Sequence, residues 1–176
     1  MSQDALYQGK SNGERDAVDL IVEQWRRERP DLDPGAKEVT GRVIRLASLF
    51  QQSYGDVFEP LGLKDGDYGQ LAALRRAGAP FELTPTELAK QLMMTSGGMT
   101  AAIDRLERKG FVVRVPNPAD RRGSLVRLTE SGRDVIDEAM RQHAGTEHQL
   151  VSALDAQEQA QLRELLHKLL RAVDRK

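Results

Sequence analysis

The chain contains no cysteine among its 176 residues, which excludes a disulfide framework, a cysteine-based zinc finger and a thiol redox sensor. Histidine is also scarce. His143 and His148 are five apart and His167 lies further on, so no pair falls at the i, i+4 spacing of helical metal ligands, and neither a metal nor a cofactor is expected. No apolar run approaches the roughly 20 residues of a membrane span, and the opening MSQDALYQGKSNGERD lacks the apolar core of a secretion signal. These absences point to the cytoplasm and to no membrane partner. There is no G-x-S-x-G elbow, no phosphate-cradling glycine loop and no convincing serine, histidine and acid order, while GGMT is too short for a nucleotide loop, so no enzyme is expected. The Met93 and Met94 pair, placed before a turn, reads as core filler rather than as an oxidation site.

What remains is an ordinary soluble composition, 39% hydrophobic with a mean hydropathy of −0.53, enough for one compact domain or a small domain with helical arms. The net charge of −1 conceals an uneven distribution. Between Thr86 and Arg127 stand eight basic residues, Lys90, Arg105, Arg108, Lys109, Arg114, Arg121, Arg122 and Arg127, against four acidic ones, so this segment carries +4 and the rest of the chain −5. A basic head on an acidic body suits phosphate contact that weakens with salt; the plain alternative is a solvated charged surface.

The same segment has a patterned order. Residues 84–132 read TPTELAKQLMMTSGGMTAAIDRLERKGFVVRVPNPADRRGSLVRLTESG. Thr84 or Thr86 can cap a short helix carrying Leu88, Ala89 and Leu92, and Thr95 or Ser96 can cap a second, in which Met99, Ala102, Ile103 and Leu106 form an apolar face. Gly98, Thr100, Ala101, Asp104 and Arg105 fall on or near the opposite face. Gly110 after Arg108 and Lys109 is a good helix stop. FVVRV and SLVRL read as two strands joined by PNPADRRG. A helix, a tight turn, a second helix and a hairpin make a winged helix-turn-helix, and double-stranded DNA is the first partner to consider.

The flanks predict helices. AVDLIVEQWRRER places Val18, Ile21, Val22 and Trp25 on one side, and a longer helix runs from about Gly35 to Phe58; DGDYGQLAALRRAG gives a third. Two more follow the hairpin, separated near Leu154 and Asp155. Leu162, Leu165, Leu166, Leu169, Leu170 and Val173 make a terminal apolar stripe with little left to cover, which suggests interlocking with a second copy of the chain. Packing of the terminal helices within one chain is the alternative.

The stretch Leu83–Gly132 resembles the MarR family of bacterial transcriptional regulators through ELAKQL, MTAAIDRLERKGFVVR, PNPADRRGSLVRL and LTESGR. The flanking helices match the family's order as well. The resemblance implies a mainly α fold with a small β-wing (α+β): a winged helix-turn-helix DNA-binding domain at 63–128, a helical dimerisation region from 16–62 and 129–176, and a loose or disordered arm at 1–15. It implies a homodimer on a pseudo-palindromic operator, most simply a ligand-responsive repressor. Carried over by position, the helix from about Ser96 to Lys109 enters the major groove, with Thr95, Ser96, Gly97, Gly98, Thr100 and Ala101 at its base-facing start and Arg105 further along. That set lacks a long side chain in the first turn, so DNA shape and backbone approach carry more of the specificity. In the wing, the resemblance has Asp120 fix Arg122 for the minor groove and makes Arg121 and Lys90 the phosphate candidates; the plain alternative is that Asp120 and Arg122 merely close the hairpin.

The family's effector cleft implies a small aromatic or anionic ligand, with Tyr54, Phe58, Asp67, Tyr68 and Arg114 as candidates and Trp25 nearby. The helix bearing Trp25 resembles the urate-responsive branch. Gly69 and Ala102 depart from that branch, which has aspartate and arginine there, and Trp25 also reads as a core anchor. A different class of function stays open: a non-enzymatic architectural or adaptor protein whose winged head binds DNA with low specificity.

Overall fold

Side-chain oxygens set the helix starts in this chain. Asp16, Thr84, Thr95, Thr129 and Asp155 each accept backbone N–H bonds from the first turn that follows, satisfying donors that a helix leaves orphaned. The computed structural model describes residues 15–64 and 66–174, with the backbone alone at 121 and 122; the arm expected at 1–15 lies, but for Arg15, outside the described residues. The elements are α1 (Ala17–Glu28), α2 (Ala36–Phe58), a 3-10 turn (Glu59–Leu61), α3 (Asp67–Arg76), β1 (Glu82–Leu83), α4 (Pro85–Gln91), α5 (Ser96–Arg108), β2 (Val112–Asn117), β3 (Asp120–Leu128), α6 (Glu130–Leu150) and α7 (Ala156–Val173). Two compact units divide within α2, between Gln52 and Ser53.

In the first unit α1 meets the front half of α2 through Val18 and Val22, both buried. A Cβ at Gly41 would stand 3.0 Å from Val18 Cγ1, so the missing side chain lets the helices close. Arg42 then donates to Asp16 Oδ2 (2.8 Å) and Asp19 Oδ1 (2.6 Å). The Asp16 backbone N–H, then Arg42, hold the Asp19 carboxyl below its ordinary range. Trp25 is 44% exposed in the chain, so it does not anchor this unit's core.

The second unit's core gathers Leu71 and Leu74 of α3, Leu88 of α4, Met99, Ile103 and Leu106 of α5, Val112 and Val126 of the sheet and Ile136 of α6. Full burial of each large aliphatic side chain contributes about 1.5–3 kcal/mol. The chain stops α5 with Gly110 at φ +73 and restarts it as α6 within twenty residues, and the seam is tight. Thr129 donates its hydroxyl to the Gly110 carbonyl and its N–H to that of Phe111. At Gly132 a Cβ would fall 1.9 Å from the Phe111 carbonyl oxygen. The LTESG run is thus a cap followed by a position where no side chain fits.

Three features of the sheet depart from the sequence reading. β1 was not foreseen; it pairs with β3, giving the antiparallel order β1-β3-β2. Two residues have no periodicity to read, and what makes them a strand is pairing, including Arg127 against Glu82 at 2.6 Å. The hairpin strands run beyond FVVRV and SLVRL to Asn117 and back from Asp120, so the expected eight-residue connection shrinks to Pro118 and Ala119, with Asn117 Oδ1 accepting from the Ala119 N–H (3.0 Å). Met93, expected in the core, is 96% exposed at φ 52, because the chain must turn there; its neighbour Met94 packs against the core.

Candidate nucleic-acid interface and aromatic cluster

The turn between α4 and α5 is defined at both ends. Thr84 and Glu87 bond each other's backbone in a reciprocal cap with Pro85 opening the helix, and the Thr84 groups hold the Glu87 carboxyl below its ordinary range. Thr95, rather than Ser96, caps α5 by accepting from the Gly98 N–H at 3.2 Å. α5 then buries Met99, Ala102, Ile103 and Leu106 and exposes Thr95, Ser96, Gly97, Thr100, Ala101, Asp104 and Arg108. Gly98 is half-buried, and a Cβ there would crowd Thr95 Oγ1 at 3.1 Å; at Gly97 it would meet nothing within 4 Å. The Thr100 hydroxyl donates to the Ser96 carbonyl (3.0 Å), so it faces outward as an acceptor.

Arg105 and Arg114 sit differently from the sequence reading. Arg105 donates through Nε to Asp67 Oδ1 at 2.8 Å, with a second guanidinium nitrogen 2.7 Å from the same oxygen. Lys109 Nζ donates to Asp67 Oδ2 (2.6 Å) and to the Gly62 carbonyl (2.7 Å). Asp67, proposed from the sequence as a ligand contact, is wholly buried and occupied: Oδ2 also accepts the Lys64 N–H at 3.0 Å. Burial pushes its carboxyl up, but Lys109, the Lys64 N–H and Arg105 outweigh that and leave it below the ordinary value. Arg114, the other charged ligand candidate, binds Asp104 and Glu107 of α5. Its effect is electrostatic: it offsets one of the two negative charges on the helix whose other exposed residues are small and uncharged or basic.

Of the six basic residues of the 86–127 segment whose side chains are described, four, Arg105, Lys109, Arg114 and Arg127, are ion-paired. Lys90 is exposed at the end of α4 and forms no ion pair among the described residues. In the wing Asp120 is exposed, and its carboxylate folds over Gly123, where a Cβ would come within 3.0 Å of Oδ2. The side chains of Arg121 and Arg122 lie outside the described residues; their backbone belongs to β3.

Tyr54, Phe58 and Tyr68 do come together. Phe58 stacks on Tyr68 at 4.5 Å between ring centroids, and His143 of α6 stands edge-on to Tyr54 (4.4 Å) and Tyr68 (4.8 Å). Burial, then the Glu147 carboxylate, push both tyrosine hydroxyls up in pKa. His143 was missed as a site residue because it was weighed only as a metal ligand. Its spacing from Ile136 and Ala139, at i+7 and i+4, would have placed it on the inward face of α6. Its Nε2 lies 3.4 Å from Glu147 Oε1, and Nδ1 is buried with no hydrogen-bond partner among the described residues. No cluster of potential metal ligands occurs among the described residues, and no described helix is long and apolar enough to cross a membrane.

A capped helix, α5, with the short α4 before it and a three-stranded sheet define a winged helix-turn-helix. Residues 61–123 match the model of the MarR family. The HTH-type transcriptional regulator PecS of Dickeya dadantii is 35% identical over 152 residues, covering 86% of this chain and 92% of PecS. A mutant MarR from E. coli, solved in complex with operator DNA, superposes with a TM-score of 0.66 at 32% identity, covering 83% of this chain and 97% of that one. A MarR family transcriptional regulator from Streptomyces coelicolor, also in complex with DNA, gives 0.68 at 27% identity over 78% of this chain and 87% of its own. The chain belongs to the MarR family of transcriptional regulators.

Proposed function

We propose that the protein is a homodimeric, sequence-specific repressor that reads a pseudo-palindromic operator with α5 in the major groove and the wing arginine, Arg122, in the minor groove. The observation that carries this reading is the face of α5: Thr95, Ser96, Gly97, Thr100 and Ala101 are exposed together on the first turns, while the opposite face is wholly committed to the core. Lys90 and Arg121 fit phosphate contacts, and Gly98 belongs to the cap that shapes the first turn. Two relatives solved in complex with DNA support DNA as the partner.

The dimer reading rests on exposed apolar side chains in helices outside the head. Leu165, Leu170 and Val173 of α7 and Ile44 of α2 are each more than three-fifths exposed in the isolated chain, a cost that burial against a second copy would remove. We accordingly keep 16–62 and 129–176 as the dimerisation region and 63–128 as the DNA-binding domain, acting in the cytoplasm. The effector is a small aromatic or anionic molecule received by Tyr54, Phe58, Tyr68 and His143; Asp67 and Arg114 are spoken for elsewhere.

Selection of a preferred duplex from random DNA, followed by binding at two salt concentrations, tests the reading. A preference of about a thousandfold over random duplex is expected, with Arg122→Ala abolishing most of it. One observation favours the low-specificity architectural alternative, namely that no exposed residue of the first turn of α5 has a long side chain. Equal affinity for selected and random duplexes, with the same salt slope, would establish that alternative.

A further inference from the structure

Among the described residues Asp67 is the one charged group that is completely buried, and it opens α3 while both its cationic partners sit on or beside the end of α5. We propose that Asp67 is a positioning residue for DNA reading: by gripping Arg105 and Lys109, four residues apart, it sets the pose at which the short side chains of α5 meet the bases. The inference rests on the assignment of α5 as the reading helix.

Three observations lead to it. Both carboxylate oxygens are used, Oδ1 on Arg105 and Oδ2 on Lys109 and the Lys64 N–H, so the grip fixes rotation about the α5 axis as well as distance. Lys109 is in turn tied to the Gly62 carbonyl, which anchors the same end of α5 to the loop before α3. Ser96, Gly97, Thr100 and Ala101 have almost no reach, so a small displacement that an arginine would absorb by changing rotamer removes their contacts outright. An apolar residue can often replace a buried ion pair without loss of stability; what a charge network adds here is a defined geometry. Arg105, taken from the sequence as a base reader, becomes part of the mount.

Charge and position make opposite predictions for Asp67→Asn. Removing a negative charge from a DNA-binding head by itself tightens binding to every duplex. Loss of position weakens the selected duplex alone. The expected result is a folded variant, by circular dichroism, that loses about tenfold or more on the selected duplex while random-duplex affinity holds or rises. In a double-mutant cycle, Arg105→Gln should then add less than about twofold in the Asp67→Asn background, because the grip is already gone. A folded Asp67→Asn variant with an unchanged or improved preference overturns the proposal, as does an Arg105→Gln effect confined to one base pair and fully additive with Asp67→Asn. Should Asp67→Asn not fold, Lys109→Met substitutes: the ratio of selected to random affinity is expected to fall about fivefold, and an unchanged ratio overturns the proposal. If the wild-type protein selects no sequence, the assignment of α5 fails and the inference falls with it; selection by wild type and by Asp67→Asn alike sinks the inference alone.

Discussion

In the first unit one cation holds two carboxylates, Arg42 between Asp16 and Asp19; in the second, one carboxylate holds two cations, Asp67 between Arg105 and Lys109. The distances are alike, 2.6–2.8 Å throughout. The surroundings are not. Arg42 and its partners keep a third or more of their side-chain surface in water, whereas Asp67 keeps none. Where water can replace a lost partner, an ion pair contributes little; where it cannot, the remaining charge is stranded. The units' glycines repeat the contrast. Gly41 faces a valine methyl that can shift by a few tenths of an ångström, while Gly132 faces a backbone carbonyl bound in place at the α5–α6 seam. Asp67 and Gly132 in the second unit have no substitute for their contacts, whereas Arg42 and Gly41 in the first do.

The sharpest way to break the comparison is Asp67→Ala, which should lower the unfolding free energy by about 3–5 kcal/mol, measured in urea, because two cations lose a buried partner. Gly132→Ala comes next. The gain in helix propensity of about 1 kcal/mol is outweighed by displacement of the Phe111 carbonyl, for a net loss of about 2 kcal/mol or more. An acid titration sharpens the point with its sign. Asp67 has a folded pKa below its unfolded value, so its stabilisation is fully present above the unfolded value of about 4 and is lost as pH falls through the lower folded one. The stability gap between wild type and Asp67→Ala should therefore stay constant above about pH 5 and narrow below about pH 4; a gap that persists into strong acid would mean that packing, not charge, dominates. Smallest of all, Arg42→Ala should cost under about 1 kcal/mol and less still at high salt. A loss as large as that of Asp67→Ala would erase the distinction between the units.

Much of this architecture could be read from the sequence, and the exceptions share a cause. The cap at the start of α5, the stop at Gly110 and the apolar face of α5 are local patterns, and they appear where residue spacing puts them. β1 was invisible because its two residues become a strand only through β3. The partners of the reading helix were invisible for a similar reason. Asp67 is 38 residues from Arg105 and 42 from Lys109, so helical periodicity can place Arg105 on a polar face without saying whether DNA or a carboxylate lies across from it. Arg114 illustrates the near version: seven and ten residues from Glu107 and Asp104, it is brought to them by the tight turn at Gly110. His143 joins the aromatic cluster from a third element, α6, far in sequence from Tyr54 and Tyr68.

Gly97 offers a route to redesign. A Cβ added there meets nothing within 4 Å among the described residues beyond its own helix turn, and glycine is a weak helix former, so a side chain can begin at this position without a clash. The position is an open socket on the exposed start of α5. On the proposed reading, asparagine, with one amide donor and one acceptor, or arginine, with its forked donor, would give the first turn of the helix the bidentate group it lacks and steer it toward adenine or guanine.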